Sequence, residues 1–168
     1  AFVRRGADMR ALADLDVARR EGDLLDADSL RRACEGIELV FHVASPHRNF
    51  AVNADDIVRP AVQGTTHVLD AARAAGVRRV VVTSSGAAVG FSDDVTKPLD
   101  ESAMLRHAES PYTRAKIEAE AVARRVAEAG GLEVVITNPT GVFGPRDYRI
   151  TPATMALRGL LQGDPSFL

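Results

Sequence analysis

Hydrophobic positions gather in three dense runs separated by longer amphipathic stretches. Ile37 to Ala44 (IELVFHVA), Val80 to Thr83 (VVVT) and Leu132 to Thr137 (LEVVIT) are rich in Val and Ile and bounded by Gly, Ser or Pro. Runs this short and this continuously apolar predict strands of a parallel sheet covered on both faces. The stretches between them keep the helical period. Asp28 to Cys34 stops at Gly36. Ile57 to Ala75 carries Val58, Val62, Val68, Leu69 and Ala72 at helical spacing and stops at Gly76. Tyr112 to Ala129, rich in Ala, Glu, Arg and Lys, follows a first-turn Pro111 and stops at Gly130-Gly131. Met155 to Leu161 is a further apolar helical stretch. Strict alternation of strand and helix predicts an α/β fold, a doubly wound parallel sheet, as one domain over residues 1–168. The opening Ala1-Phe2-Val3 reads as the inside of a strand; without an initiator Met, a piece of a longer protein is expected.

Composition narrows the function classes. The 168 residues are 46% hydrophobic and 26% charged, which excludes a disordered chain. The 21 Lys+Arg against 23 Asp+Glu leave a net charge of -2, and aromatics are 5%, so neither a basic footprint nor a base-stacking surface points to nucleic acid. No apolar run approaches the roughly 20 residues of a membrane span. Cys34 alone forms no intrachain disulfide and no multi-cysteine zinc site. No leader-like segment is present, so a soluble cytoplasmic protein is expected.

In an open parallel sheet, ligands bind beyond the carboxyl ends of the strands. Those ends are His42-Val43-Ala44-Ser45, Thr83-Ser84-Ser85-Gly86 and Asn138-Pro139-Thr140-Gly141, all small, hydroxylic or turn-forming. The longest irregular stretch, Gly86 to Ser110, follows the second of them, and such loops are usually functional or mobile. Tyr112 and Lys116 stand four apart at the start of a helix, hence on one face. A free phenol titrates near 10 and is a poor base at neutral pH; a fixed ammonium beside it favours the phenolate. Such a tyrosine exchanges a proton with an alcohol or carbonyl oxygen, and a hydroxyl donor completes the site. Ser85 is the candidate donor and Ser84 its rival; strand alternation points only one of them at the crevice. The plain alternative for the Tyr/Lys pair is a solvated helix face. His42, at the end of an apolar strand, reads as a packed histidine, and Cys34 as a small buried filler. His47, His67 and His107 lack metal-ligand spacing. Ser84-Ser85-Gly86 is not a nucleophile elbow, which removes a hydrolase.

Ser85, Tyr112 and Lys116, on these elements in this order, resemble the Ser/Tyr/Lys triad of short-chain dehydrogenases/reductases. Gly22-Asp23-Leu24-Leu25-Asp26, Phe41-His42-Val43-Ala44-Ser45 and Asn138-Pro139-Thr140-Gly141-Val142-Phe143-Gly144-Pro145 are similar to motifs of the extended, epimerase/dehydratase branch. Arg59-Pro60-Ala61-Val62-Gln63-Gly64-Thr65 and Val81-Val82-Thr83-Ser84-Ser85 resemble the dihydroflavonol reductase and cinnamoyl-CoA reductase group. The resemblance implies a Rossmann-like fold and a role for each matched residue. Ser85 would polarise the substrate carbonyl, Tyr112 act as acid/base, and Lys116 lower the tyrosine pKa and bind the nicotinamide ribose. Asp23 and Leu24 would meet the adenine; Val43, Ala44, Ser45 and Thr83 would line the cofactor path; Pro139 and Val142 would flank the nicotinamide. Arg4 and Arg5 would hold the adenosine ribose. Because arginine suits the 2′-phosphate and a carboxylate the 2′-hydroxyl, and no carboxylate follows until Asp8, NADP is expected ahead of NAD.

The chain departs from the family pattern in two places. The glycine-rich fingerprint of the first strand-to-helix turn is not in the sequence, so the first β-α unit is expected to be lacking; the sequence also stops soon after Met155 to Leu161, so most of the substrate lobe is expected to be lacking too. Ala61 stands where many extended relatives carry Asn, which fits the reductases better than the sugar epimerases. The implied activity is reduction of a small-molecule aldehyde or ketone. The alternatives are a nucleotide-sugar epimerase or dehydratase using the same triad, and a non-catalytic nucleotide-sensing or scaffold module. The 57–75 and 112–129 helices offer a face for a homodimer.

Overall fold

The computed structural model describes residues 1–45, 53–108, 110–148 and 151–164. Five strands and five α-helices are defined among them. In chain order they are β1 (Phe2–Val3), β2 (Arg20–Glu21), α1 (Ala27–Cys34), β3 (Leu39–His42), α2 (Asp55–Ala74), β4 (Arg79–Thr83), α3 (Gly86–Val89), α4 (Pro111–Ala129), β5 (Glu133–Thr137) and α5 (Pro152–Leu161). A 3-10 turn at Arg10–Leu12 lies between β1 and β2. All pairings are parallel: β1 with β2, and β3–β4–β5 as a separate three-stranded sheet.

The helices begin where local chemistry satisfies their free N–H groups. Asp26 caps α1 by accepting from the amides of Asp28 and Ser29, Ser110 caps α4 at Thr113, and Pro111 occupies the first turn of α4. Replacing Asp26 by Ala is expected to lower stability by about 1 kcal/mol, read as a shifted urea midpoint with an unchanged slope. Gly22, just past β2, is required by close approach. A Cβ there would lie 2.5 Å from the Phe2 ring and 2.6 Å from Ser29 Oγ.

Helices α1, α2 and α4 pack together, and their apolar stripes meet one face of the sheet. Leu30, Cys34, Val68, Leu69, Val80, Val82 and Leu132 form the main core with Ala72 and Ala123, which are fully buried. The small side chains at 72 and 123 suit close approach of α2 and α4 at native packing density. Cys34 is buried, as its small apolar character predicts.

The strands are not covered on both faces by the described residues, contrary to the reading of their composition. Val40 is half-buried and His42 buried on the helix side, whereas Leu39, Phe41 and Val43 alternate with them and are exposed, Phe41 at 66%. Val135 on β5 is exposed as well. Pleating sends alternate residues to opposite faces, and α1, α2 and α4 can cover only one. The Gly86–Ser110 stretch also differs from expectation, since it opens with α3. The loop after β5 is tied to the chain's beginning by Arg10 over the Tyr148 ring (4.9 Å to the centroid) and by the Arg146–Asp14 ion pair.

Candidate active site

Register aligns the carboxyl ends of the strands. His42 pairs with Val82, Val82 with Ile136, and Thr83 with Thr137, so the residues after them emerge at one edge. The edge is stitched by main-chain bonds from the Ser84 amide to the Thr137 carbonyl (2.8 Å) and from the Gly86 amide to the Pro139 carbonyl (2.9 Å).

The two serines separate as strand alternation requires. Ser84 is buried and its hydroxyl donates inward, to Glu120 Oε2 at 2.6 Å. Ser85 is half-buried and turns the other way, its Oγ capping α3 by accepting from the Ala87 amide at 3.2 Å. The cap uses a lone pair. Among the described residues, the Ser85 hydroxyl accepts this bond and donates none.

Tyr112, Lys116, Glu120 and Arg124 form one i,i+4 stripe on α4. The Lys116 ammonium lies 5.8 Å from the Tyr112 ring centroid, within cation–π range, and reaches the Thr83 carbonyl at 3.5 Å. Burial pulls Lys116 below the ordinary lysine range. Ala44, Ser45, Thr83, Lys116, His42 and Glu120 line one small cavity under the strand ends. His42 is a packed residue, as expected. It is buried, its Nε2 lies 3.0 Å from Thr65 Oγ1, and burial together with the Lys116 charge lowers its pKa to about 4.

The residues expected along a cofactor's length lie on three elements. Arg4 and Arg5 follow β1 and are exposed. Arg5 is not free: Glu21, brought alongside by the Val3–Glu21 register of β1 and β2, accepts from its Nε at 2.8 Å. Sequence reasoning looked for a carboxylate only along the chain and missed this one. Asp23 accepts from the Leu25 amide. Leu24 turns its side chain onto Gly64 of α2 and its carbonyl to His67 Nδ1 at 3.0 Å, so only part of it is presented. Val43 and Val142 are exposed at 63% and 72%, and Pro139 is half-buried against the start of α3. Among the described residues, no group of three His, Cys, Asp or Glu could hold a metal ion, and no helix is long and apolar enough to cross a membrane.

Glu120 also escaped the sequence reading. An acid in a helix rich in Ala, Glu, Arg and Lys passes for a solvated one. Its signal was register, one turn beyond Lys116 and on the side that buries Ala115 and Ala123.

The model of the NAD dependent epimerase/dehydratase family matches residues 1–162. The chain belongs to that family. It is 37% identical over 150 residues to the sterol demethylase protein B of Methylococcus capsulatus, covering 89% of this chain and 45% of that protein. It is 39% identical over 140 residues to cinnamoyl-CoA reductase 1 of Oryza sativa subsp. japonica, covering 79% and 40%. Among solved structures, a double mutant of the dTDP-glucose 4,6-dehydratase DesIV from Streptomyces venezuelae, with NAD bound, superposes with a TM-score of 0.75 at 31% identity, covering 91% of this chain and 48% of that one. The fold is therefore the Rossmann-like parallel α/β fold of this family. The chain spans less than half the length of each of these relatives.

Proposed function

We propose that the protein is an NADP(H)-dependent reductase of a small aldehyde or ketone, acting in the cytoplasm through Ser85, Tyr112 and Lys116. The observation that carries this reading is the placement of Tyr112 and Lys116 on one stripe of α4, with Lys116 reaching the end of β4 from which Ser85 emerges. The 39% identity to a cinnamoyl-CoA reductase supports it.

The residues present fit the nicotinamide half of such a cofactor. Ala44 and Ser45 are small, and the Lys116 ammonium stands beside them, held by a long bond to the Thr83 carbonyl and by the face of the Tyr112 ring. Thr83, Pro139 and Val142 would hold the ring end, Val43 the middle, and Asp23, Leu24 and Arg4 the adenosine end. The glycine-rich turn that would cradle a pyrophosphate is not among these 168 residues. When bound, the nicotinamide supplies the hydride. Ser85 donates its hydroxyl proton as a hydrogen bond to the carbonyl oxygen and Tyr112 gives that oxygen its proton. Lys116 favours the phenolate left behind, since an ammonium stabilises a neighbouring negative charge.

Preference for NADP rests on Arg4. Arg5 is engaged by Glu21, whereas no ion pair of Arg4 is found among the described residues. The DesIV likeness favours a second reading, a sugar-nucleotide dehydratase or epimerase using NAD. The deciding assay on the full-length protein follows NADPH oxidation with small aldehydes beside turnover of sugar nucleotides. Aldehyde-dependent oxidation is expected. Arg4→Ala is expected to raise the KM for NADPH about tenfold, the loss of one charge-assisted hydrogen bond, and to leave that for NADH unchanged. Sugar-nucleotide turnover alone selects the second reading, and an NADPH KM insensitive to Arg4 removes the assignment of NADP. Absence of both activities leaves a non-catalytic nucleotide-sensing module.

A further inference from the structure

Glu120 is the one fully buried carboxylate among the described residues, at 1% exposure, and the proton-transfer scheme above does not use it. Its Oε2 accepts from Ser84 Oγ at 2.6 Å and from Asn138 Nδ2 at 2.7 Å; its Oε1 accepts from Arg124 Nε at 3.0 Å and Nη2 at 2.7 Å. The same Asn138 amide nitrogen donates to the Ser85 carbonyl at 3.1 Å. One carboxylate thus joins the ends of β4 and β5 to α4, one turn beyond Lys116 and two beyond Tyr112. Burial pushes its pKa up, but donation from Ser84, Arg124 and Asn138 and the Arg124 charge outweigh that and hold it below the ordinary glutamate range.

We propose that Glu120 is a positioning residue that sets Ser85 against Tyr112 and Lys116 by clamping both strand ends to their helix. Two features favour positioning over mere stability. A buried carboxylate, here paired with a part-exposed arginine, is a costly way to gain stability, since apolar residues of similar volume often serve as well or better. An ionised carboxylate also only accepts hydrogen bonds, so its partners must all point donors at it. That turns the Ser84 hydroxyl inward and, through Asn138, fixes the Ser85 main chain with its side chain outward. An apolar filler would leave the Ser84 hydroxyl without this acceptor and the Ser85 carbonyl tied only through the neighbouring main-chain bonds.

The inference rests on the reductase reading, and its test separates the two. In the full-length protein, Glu120→Gln is expected to lower kcat by about 10–100-fold, the cost of an ångström-scale misplacement, while the KM for NADPH moves less than about threefold. Hydrogen exchange at the Ser84 and Gly86 amides, which bond to the β5 segment, is expected to quicken. Asn138→Ala keeps the Ser84 and Arg124 bonds and removes the two that the Asn138 amide donates, to Glu120 and to the Ser85 carbonyl. It is expected to show the same split, and it decides the matter should the Gln variant not fold. A lowered unfolding midpoint with kcat per folded molecule unchanged overturns the proposal. Where wild type reduces no carbonyl, the reductase reading fails by itself and exchange remains decisive: quickening confined to residues 84–86 upholds the clamp, and unchanged exchange overturns it.

Discussion

Replacing Tyr112 by Phe is expected to lower kcat by about 10²–10⁴-fold, the range for loss of a positioned general acid–base. Cofactor affinity is expected to stay within about twofold, because the interaction removed is made chiefly in the transition state. The substitution deletes one oxygen and keeps the ring. Tyr112 sits in the first turn of α4, where Ser110 and Pro111 fix the helix start, so the backbone has no reason to move. The ring also remains a surface for the Lys116 ammonium, which lies 5.8 Å from its centroid, so Lys116 keeps the orientation needed to meet a ribose. Steady-state kinetics with a saturating aldehyde, paired with fluorescence titration of NADPH, measure both quantities. Undiminished turnover would take the tyrosine out of its role. Loss of affinity in step with turnover would make the residue a binding group instead.

What the sequence disclosed about this site followed from periods shorter than the fold. The shared face of Tyr112 and Lys116 was legible because four residues make about one helical turn, and the opposite directions of Ser84 and Ser85 because strand side chains alternate; both are local geometry. Glu120 and Glu21 were not legible, because what gives each its partner is tertiary. Glu120 is bonded by Ser84 and Asn138, which follow two different strands. Glu21 reaches Arg5 only through a parallel pairing of two short strands, one of them the wholly charged Arg20–Glu21. A pair of charged residues carries no apolar period from which a strand could be read. The same limit explains the exposed face of β3. The pattern Leu39, Phe41, Val43 states which side chains gain from burial, but not which residues of the chain are there to cover them.

Stability is expected to fall steeply between about pH 6.5 and pH 4, and His42 is the cause. In the folded chain its pKa is lowered from 6.5 to about 4, first by burial and second by the Lys116 charge. Between those two values the unfolded chain binds a proton that the folded chain refuses, so stability rises with pH across the window and is lost on acidification through it. At 1.36 kcal/mol per unit, the difference amounts to about 3 kcal/mol, a large share of a typical domain's stability. Glu120 adds a second loss at lower pH. Its folded pKa is depressed, so its contribution is present above the ordinary glutamate value and disappears as pH falls through the folded one. Urea unfolding of wild type and His42→Asn at several pH values separates the two groups. The variant cannot titrate at position 42, so its stability is expected to be nearly flat from pH 6.5 to pH 4.5 and to decline only below that. Lys116→Met is expected to narrow the steep window from its acid side without closing it, because burial is the larger cause. Parallel curves for wild type and His42→Asn would mean that His42 accepts its proton in place, stabilised by the hydroxyls and the Glu120 carboxylate that share its cavity.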